Sequence, residues 1–167
     1  MVINVTDATA DETLPPAFGP AAIGHYSAAV LADQKQLRGP ADHLAGLAAE
    51  CALKAILMDH LGSELNDRGR PYNPALHDAQ RRPRQDRKEY EHGHLPDLWG
   101  HLEALAVGRV GQLIMSKLPD ENHFEGWDVA GRYADGETIA ADTVTRHLTA
   151  ARTICGAYVD LSTTGAI

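Results

Sequence analysis

Apolar and small residues first become periodic at Ala21 and continue to Leu37, a run rich in Ala, Leu and Gln that predicts a first helix. Arg38-Gly39-Pro40 then reads as its stop: Gly supplies the C-terminal turn and Pro opens the next helix. Residues 40–61 give the clearest helical pattern. At 100° per residue from His43, the positions Leu44, Ala48, Cys51, Ala55 and Met58 cluster between about 60° and 140°. His43, Leu47, Glu50 and Lys54 lie between about −20° and 40°, so a polar row runs beside the apolar stripe. Glu50 and Lys54 stand in the helix-supporting i,i+4 order.

Residues 62–93 lose this regularity, because Gly62, Gly69, Pro71, Asn73, Pro74, Pro83 and Gly93 interrupt every period. A short helix around 86–91 is the one element expected there. Helical spacing returns over 94–105 with Leu95, Leu98, Trp99, Leu102 and Leu105, and Gly108 and Gly111 weaken its continuation toward Leu118. Residues 120–136, with Trp127 and Arg132-Tyr133, read as a loop. A last helix is expected from Thr138 to about Leu161. The pattern predicts an all-α fold, a four- to five-helix bundle occupying residues 21–161 as one domain, with a long basic connection between the second and third long helices. Residues 1–20 read as an N-terminal arm and 162–167 as a tail, and no confident strand pair is expected.

Charge changes this picture locally. The 167 residues carry 15 Lys and Arg against 23 Asp and Glu, a net −8 that opposes a generally basic nucleic-acid binder. Seven cations, Arg68, Arg70, Arg81, Arg82, Arg84, Arg87 and Lys88, face only Asp78 and Asp86 within 68–88, leaving that stretch at +5 and the remainder at −13. No apolar run reaches the length of a membrane span and the first residues lack a secretory pattern, so a cytoplasmic protein is expected. Cys51 and Cys155 stand alone, without the pairing a redox or zinc site needs. Neither a phosphate-binding Gly-rich loop nor a serine-hydrolase elbow is present, and no cofactor is expected.

The run His43-Leu44-Ala45-Gly46-Leu47-Ala48-Ala49-Glu50-Cys51-Ala52-Leu53-Lys54-Ala55 resembles a signature of the HEPN superfamily, in which Tyr is common where Leu47 stands. His94-Leu95-Pro96-Asp97-Leu98-Trp99 and Trp127 followed by Arg132-Tyr133 are similar to further family segments in the same order, so that the resemblance covers roughly residues 21–160. It implies a helical bundle, frequently a homodimer. Many such proteins are metal-independent endoribonucleases of toxin–antitoxin or anti-phage defence systems that carry an Arg-x4–6-His motif. Others are non-catalytic modules that bind a nucleotide or a partner protein such as a nucleotidyltransferase or antitoxin.

Two of the stretches that satisfy that motif are weighed. Arg87 precedes His92 by x4 and His94 by x6, and Arg38 precedes His43 by x4. Metal-free RNA cleavage needs a proton-transfer group, which His supplies near neutral pH, and a cation for the phosphorane charge, which Arg supplies. Arg87, His92 and His94 are the catalytic candidates, and Arg81, Arg82, Arg84 and Lys88 the RNA-contacting cations. The plainer readings are chance spacing and a solvated basic loop. His43, Glu50 and Lys54 form a candidate polar seam facing a cleft or a second copy; structurally, Glu50 and Lys54 are an ordinary surface pair worth about 0.2–0.5 kcal/mol. His92, His94 and His101 lack a carboxylate or thiol at ligand spacing, so they are read as a surface His cluster with no metal.

Overall fold

A computed structural model describes residues 14–76, 91–133 and 135–164. The fold is an all-α bundle. Its helices are α1 (Phe18–Gln34), α2 (Arg38–His60), α3 (Asp97–Leu105), α4 (Gly108–Met115) and α5 (Ala141–Thr164). α2 is central: it packs against α1 and α5, which also touch each other, and against α3 and two short 3-10 turns at Val129–Tyr133 and Gly136–Thr138.

Small residues make this enclosure possible. Ala41, Ala45, Gly46, Ala48, Ala49, Ala52 and Ala55 of α2 are all buried, letting neighbouring helices approach closely, while Leu53, Ile56 and Leu57 fill the remaining space. From α5, the buried Cys155 Sγ lies 3.9 Å from the Ala22 carbonyl of α1 and 3.8 Å from the Ala48 carbonyl of α2. Burial pushes its thiol up to about 12, so it is an inert packing group. At Gly46 the Trp127 indole lies against the α2 backbone, and a Cβ there would fall inside the ring.

Several boundaries differ from the sequence reading. Pro20 and Pro40 both lie inside the first turn of their helices, where the missing N–H has no intrahelical acceptor to lose. The turn ending α1 is made by Gln36, at φ 59°, rather than by Gly39. Gln36 N–H donates to Asp33 O at 2.8 Å and Leu37 N–H to Ala32 O at 2.9 Å, the paired bonds of a Schellman ending. Gly108, at φ 68°, separates α3 from α4 instead of merely weakening one helix. The last helix opens at Ala141, because Asp135 Oδ1 accepts from Glu137 N–H at 3.0 Å and holds 136–138 in a 3-10 turn. It runs to Thr164, into the expected tail.

A strand pair that the pattern did not predict joins β1 (Glu64–Leu65) to β2 (Pro71–Tyr72), antiparallel, with Glu64 opposite Tyr72 and Leu65 opposite Pro71. Strands this short show no alternation. The ribbon is organised by Asn66, whose side-chain oxygen accepts from Arg68 and Arg70 N–H, each at 3.0 Å. Tyr72 bridges to Glu91, and His92 N–H donates to Pro71 O at 2.7 Å, which fixes the approach to α3.

Two stability changes follow. Gln36→Gly relieves a left-handed residue and is expected to raise the unfolding free energy by about 1 kcal/mol in urea denaturation. Gly46→Ala is expected to lower it by about 1–3 kcal/mol despite alanine's better helix propensity, because the Trp127 contact outweighs that gain; an unchanged midpoint would show that the indole can shift freely.

Candidate functional site

Glu50 and Lys54 occupy successive turns of α2, and both are buried, at 5% and 8% exposure. The surface pair of the sequence reading is therefore an interior one. Lys54 Nζ donates to Glu50 Oε1 at 2.7 Å and lies 5.8 Å from the centre of the Phe18 ring of α1. Burying two charges is tolerable only when each keeps its partner.

Glu50 has a second contact. His94 Nδ1 lies 3.0 Å from both Glu50 oxygens, so Nδ1–H is donated to the carboxylate and Nε2 is left as the unengaged nitrogen. The His94 side chain is 58% exposed while that of Glu50 is 6% exposed. A buried carboxylate thus orients a solvent-facing imidazole, an arrangement that can take up and release protons at Nε2.

His92, two residues earlier, has a different environment. It is 4% exposed, with Nε2 2.8 Å from Ser63 Oγ and Nδ1 3.1 Å from His101 Nδ1. Asn73 fixes the direction of this chain. Its Oδ1 accepts from Ala75 N–H at 2.9 Å, so Nδ2 donates to Leu61 O at 2.8 Å and to Ser63 Oγ at 3.0 Å. The arrangement that satisfies every donor has Ser63 donate to His92 Nε2 and His92 Nδ1–H donate to His101 Nδ1. The neutral His101 then carries its proton on Nε2. Burial first, then the His101 and Lys54 charges, push His92 down to about 4. Burial also lowers His101. A neutral, enclosed His92 keeps both ring nitrogens within this hydrogen-bond chain, and its engagement with His101 corrects the surface-cluster reading.

His43 does not join the Glu50–Lys54 seam. Its ring stacks on Trp127, with centroids 5.8 Å apart, and its buried Nδ1 has no hydrogen-bond partner. Burial, followed by the Arg132 charge, holds His43 below its ordinary value. The alternative Arg38–His43 pair lies on α2 itself, where five residues turn the side chains about 140° apart. The neighbouring Asp42 is occupied by His147 of α5, whose Nδ1 donates to Oδ1 at 2.7 Å while the ring stacks on Phe124.

Arg81, Arg82, Arg84, Arg87 and Lys88 lie outside the described residues, and with them the candidate catalytic arginine and the candidate RNA-contacting cations. Of the basic stretch, Arg70 is bound to Glu91 at 3.0 Å and holds that carboxyl below the usual range. On the outer side of α3 a groove of about 980 Å³ is lined by Glu91, Asp97, Glu103, Asp120, Glu121 and Glu125 together with His101. Sequence reasoning missed Ser63 and Asn73, whose only signal was that two polar residues flank a turn-rich stretch.

No family model, curated protein or solved structure matches the chain.

The His92 environment gives a signed pH dependence. Its folded value lies below the ordinary 6.5, so its contribution to stability is complete above about pH 6.5 and declines as pH falls toward about 4. Between about pH 6.5 and 5, above the main carboxylate range, His92→Gln is expected to reduce proton uptake on unfolding by up to about one proton. The check is the pH slope of the urea unfolding free energy; equal slopes for the two proteins would place His92 in a watery environment instead.

Proposed function

We propose that this protein is a HEPN-like helical bundle that acts on RNA as a metal-independent endoribonuclease, with His94 as the proton-transfer group. One observation carries the reading: an exposed imidazole whose Nδ1–H is held by a buried carboxylate, itself anchored by Lys54, within the segment resembling the HEPN signature. Glu50 and Lys54 are positioning residues.

The chemistry needs little else. His94 Nε2 accepts the proton of a ribose 2′-hydroxyl as O2′ bonds to the adjacent phosphorus; the P–O5′ bond breaks, and O5′ takes a proton from solvent. The products are a 2′,3′-cyclic phosphate and a 5′-hydroxyl. Arg87, the nearest preceding arginine in sequence, is the proposed cation for the developing phosphorane charge. A toxin-like or anti-phage role in the cytoplasm, as a homodimer with an antitoxin or nucleotidyltransferase partner, belongs to the same proposal.

The acidic groove beside α3 favours a second reading, a non-catalytic interaction module. Asp97, Glu103, Asp120, Glu121 and Glu125, beside a Glu91 paired with Arg70, repel an RNA backbone and suit a protein partner with a basic surface.

Cleavage of labelled single-stranded RNA or transfer RNA in EDTA separates the two. The expected result is cyclic-phosphate ends, with His94→Ala slowing cleavage by about 100-fold or more and folding retained, since the side chain is largely exposed. Intact RNA after incubation with pure wild-type protein, or wild-type rates from His94→Ala, would falsify the catalytic assignment.

A further inference from the structure

A second carboxylate–imidazole pair, made by Asp42 of α2 and His147 of α5, has no part in the proposed cleavage. His147 Nδ1–H donates to Asp42 Oδ1 at 2.7 Å, and the His147 side chain is only 6% exposed. Its ring also stacks on Phe124, with centroids 4.7 Å apart and 24° between the planes, so it is held on two sides. Nε2 makes no hydrogen bond among the described residues and is not sealed off; it is the polar atom His147 has left for the cavity of about 380 Å³ that it lines, between the first turns of α5 and residues 121–126. A tie between α2 and α5 needs Asp42 and Nδ1 alone, and leaves the open nitrogen unexplained.

The other walls of the cavity carry charges of both signs. Arg146 has one polar contact among the described residues, Nη2 at 3.5 Å from Thr143 Oγ1, and no carboxylate among them pairs with it. Asn122 Oδ1 accepts from Phe124 N–H at 3.0 Å, so the amide presents Nδ2 as a donor. Glu121 Oε1 lies 3.5 Å from His123 Nδ1, whereas Glu125 has no partner among the described residues.

We propose that this cavity binds a free amino acid, with the carboxylate held by Arg146 and the Asn122 amide and the ammonium held by His147 Nε2 and Glu125. The charges select this ligand. A simple anion meets Glu121 and Glu125, and a simple amine meets Arg146, but a small zwitterion satisfies both signs within one cavity. The planar Arg146 fork matches a carboxylate. In the neutral His147 ring, with Nδ1–H given to Asp42, Nε2 carries the lone pair that accepts an ammonium N–H. The volume lies in the range of small-molecule sites, roughly 300–1,000 Å³. The site depends neither on cleavage at His94 nor on a partner in the acidic groove, with which it shares Glu121, Asn122 and Glu125.

Nuclear magnetic resonance titration of the full chain tests it with each of the standard amino acids in turn, and with acetate and methylamine as the two halves of the ligand. At least one amino acid is expected to move the His147 and Arg146 side-chain resonances and to bind at least about tenfold more tightly than either half. Arg146→Gln, at an exposed position, is expected to keep the fold and weaken that amino acid by about tenfold or more. His147→Asn retains a donor to Asp42 in the place of Nδ1 and removes Nε2, and is expected to weaken it by about tenfold. Glu125→Gln is expected to weaken the amino acid while strengthening acetate, a change of opposite sign that a site for plain anions would not give. Resonances unmoved by every amino acid, acetate binding as tightly as the best of them, wild-type affinity in Arg146→Gln or in folded His147→Asn, or tighter amino-acid binding by Glu125→Gln would each overturn the proposal.

Discussion

The interior of this protein is organised by the enclosure of α2. Its small residues let α1 and α5 close over it, and from Ala52 to Leu57 every position is buried regardless of which way it points. A helix surrounded on several sides cannot keep its polar row in water. Glu50 and Lys54 therefore face inward, and each is tolerable only because the other is there, since an isolated buried charge costs several kcal/mol. The constraint passes outward to His94, which shares the carboxylate and thereby acquires one fixed ring orientation.

This dependence gives the site an order of construction. Tight packing on alanines creates the enclosed pair, the pair fixes an exposed imidazole, and the ribbon formed by β1 and β2 brings the segment carrying that imidazole into place through the Tyr72–Glu91 bridge and the Pro71 carbonyl. His92 and His94 are separated by one glycine yet serve opposite ends of this arrangement. One is consumed inside the hydrogen-bond chain and the other remains available at the surface.

Much of the helical framework was legible in the sequence because long periodic runs have few alternatives, and α1, α2 and α5 were expected near their observed places. The boundaries were harder to read. Gly-Pro looks like punctuation, but both such pairs lie where a helix has no N–H bonds to lose, while the actual stop uses Gln36, a residue with no compositional signal for a positive φ. The Glu50–Lys54 spacing was readable; its burial was not, because a wheel shows which residues share a face but not how many neighbours surround the cylinder. Ser63, Asn73 and His101 are far apart in sequence and meet only through the ribbon and α3, so no local pattern could place them together.

The orientation of one amide has a consequence well beyond Asn73. Its nitrogen can only donate, and that asymmetry is handed from Ser63 to His92 to His101, so the tautomer beside the acidic groove is dictated from three side chains away. Replacing that nitrogen by oxygen, the near-isosteric change from amide to carboxylate, reverses every link. Ser63 must then donate to residue 73, His92 donates from Nε2, and His101 carries its proton on Nδ1 instead of Nε2. The cost is a carboxylate facing the Leu61 carbonyl. The chain thus acts as a polarity relay, in which a substitution in the interior selects the tautomer of a histidine that lines the groove.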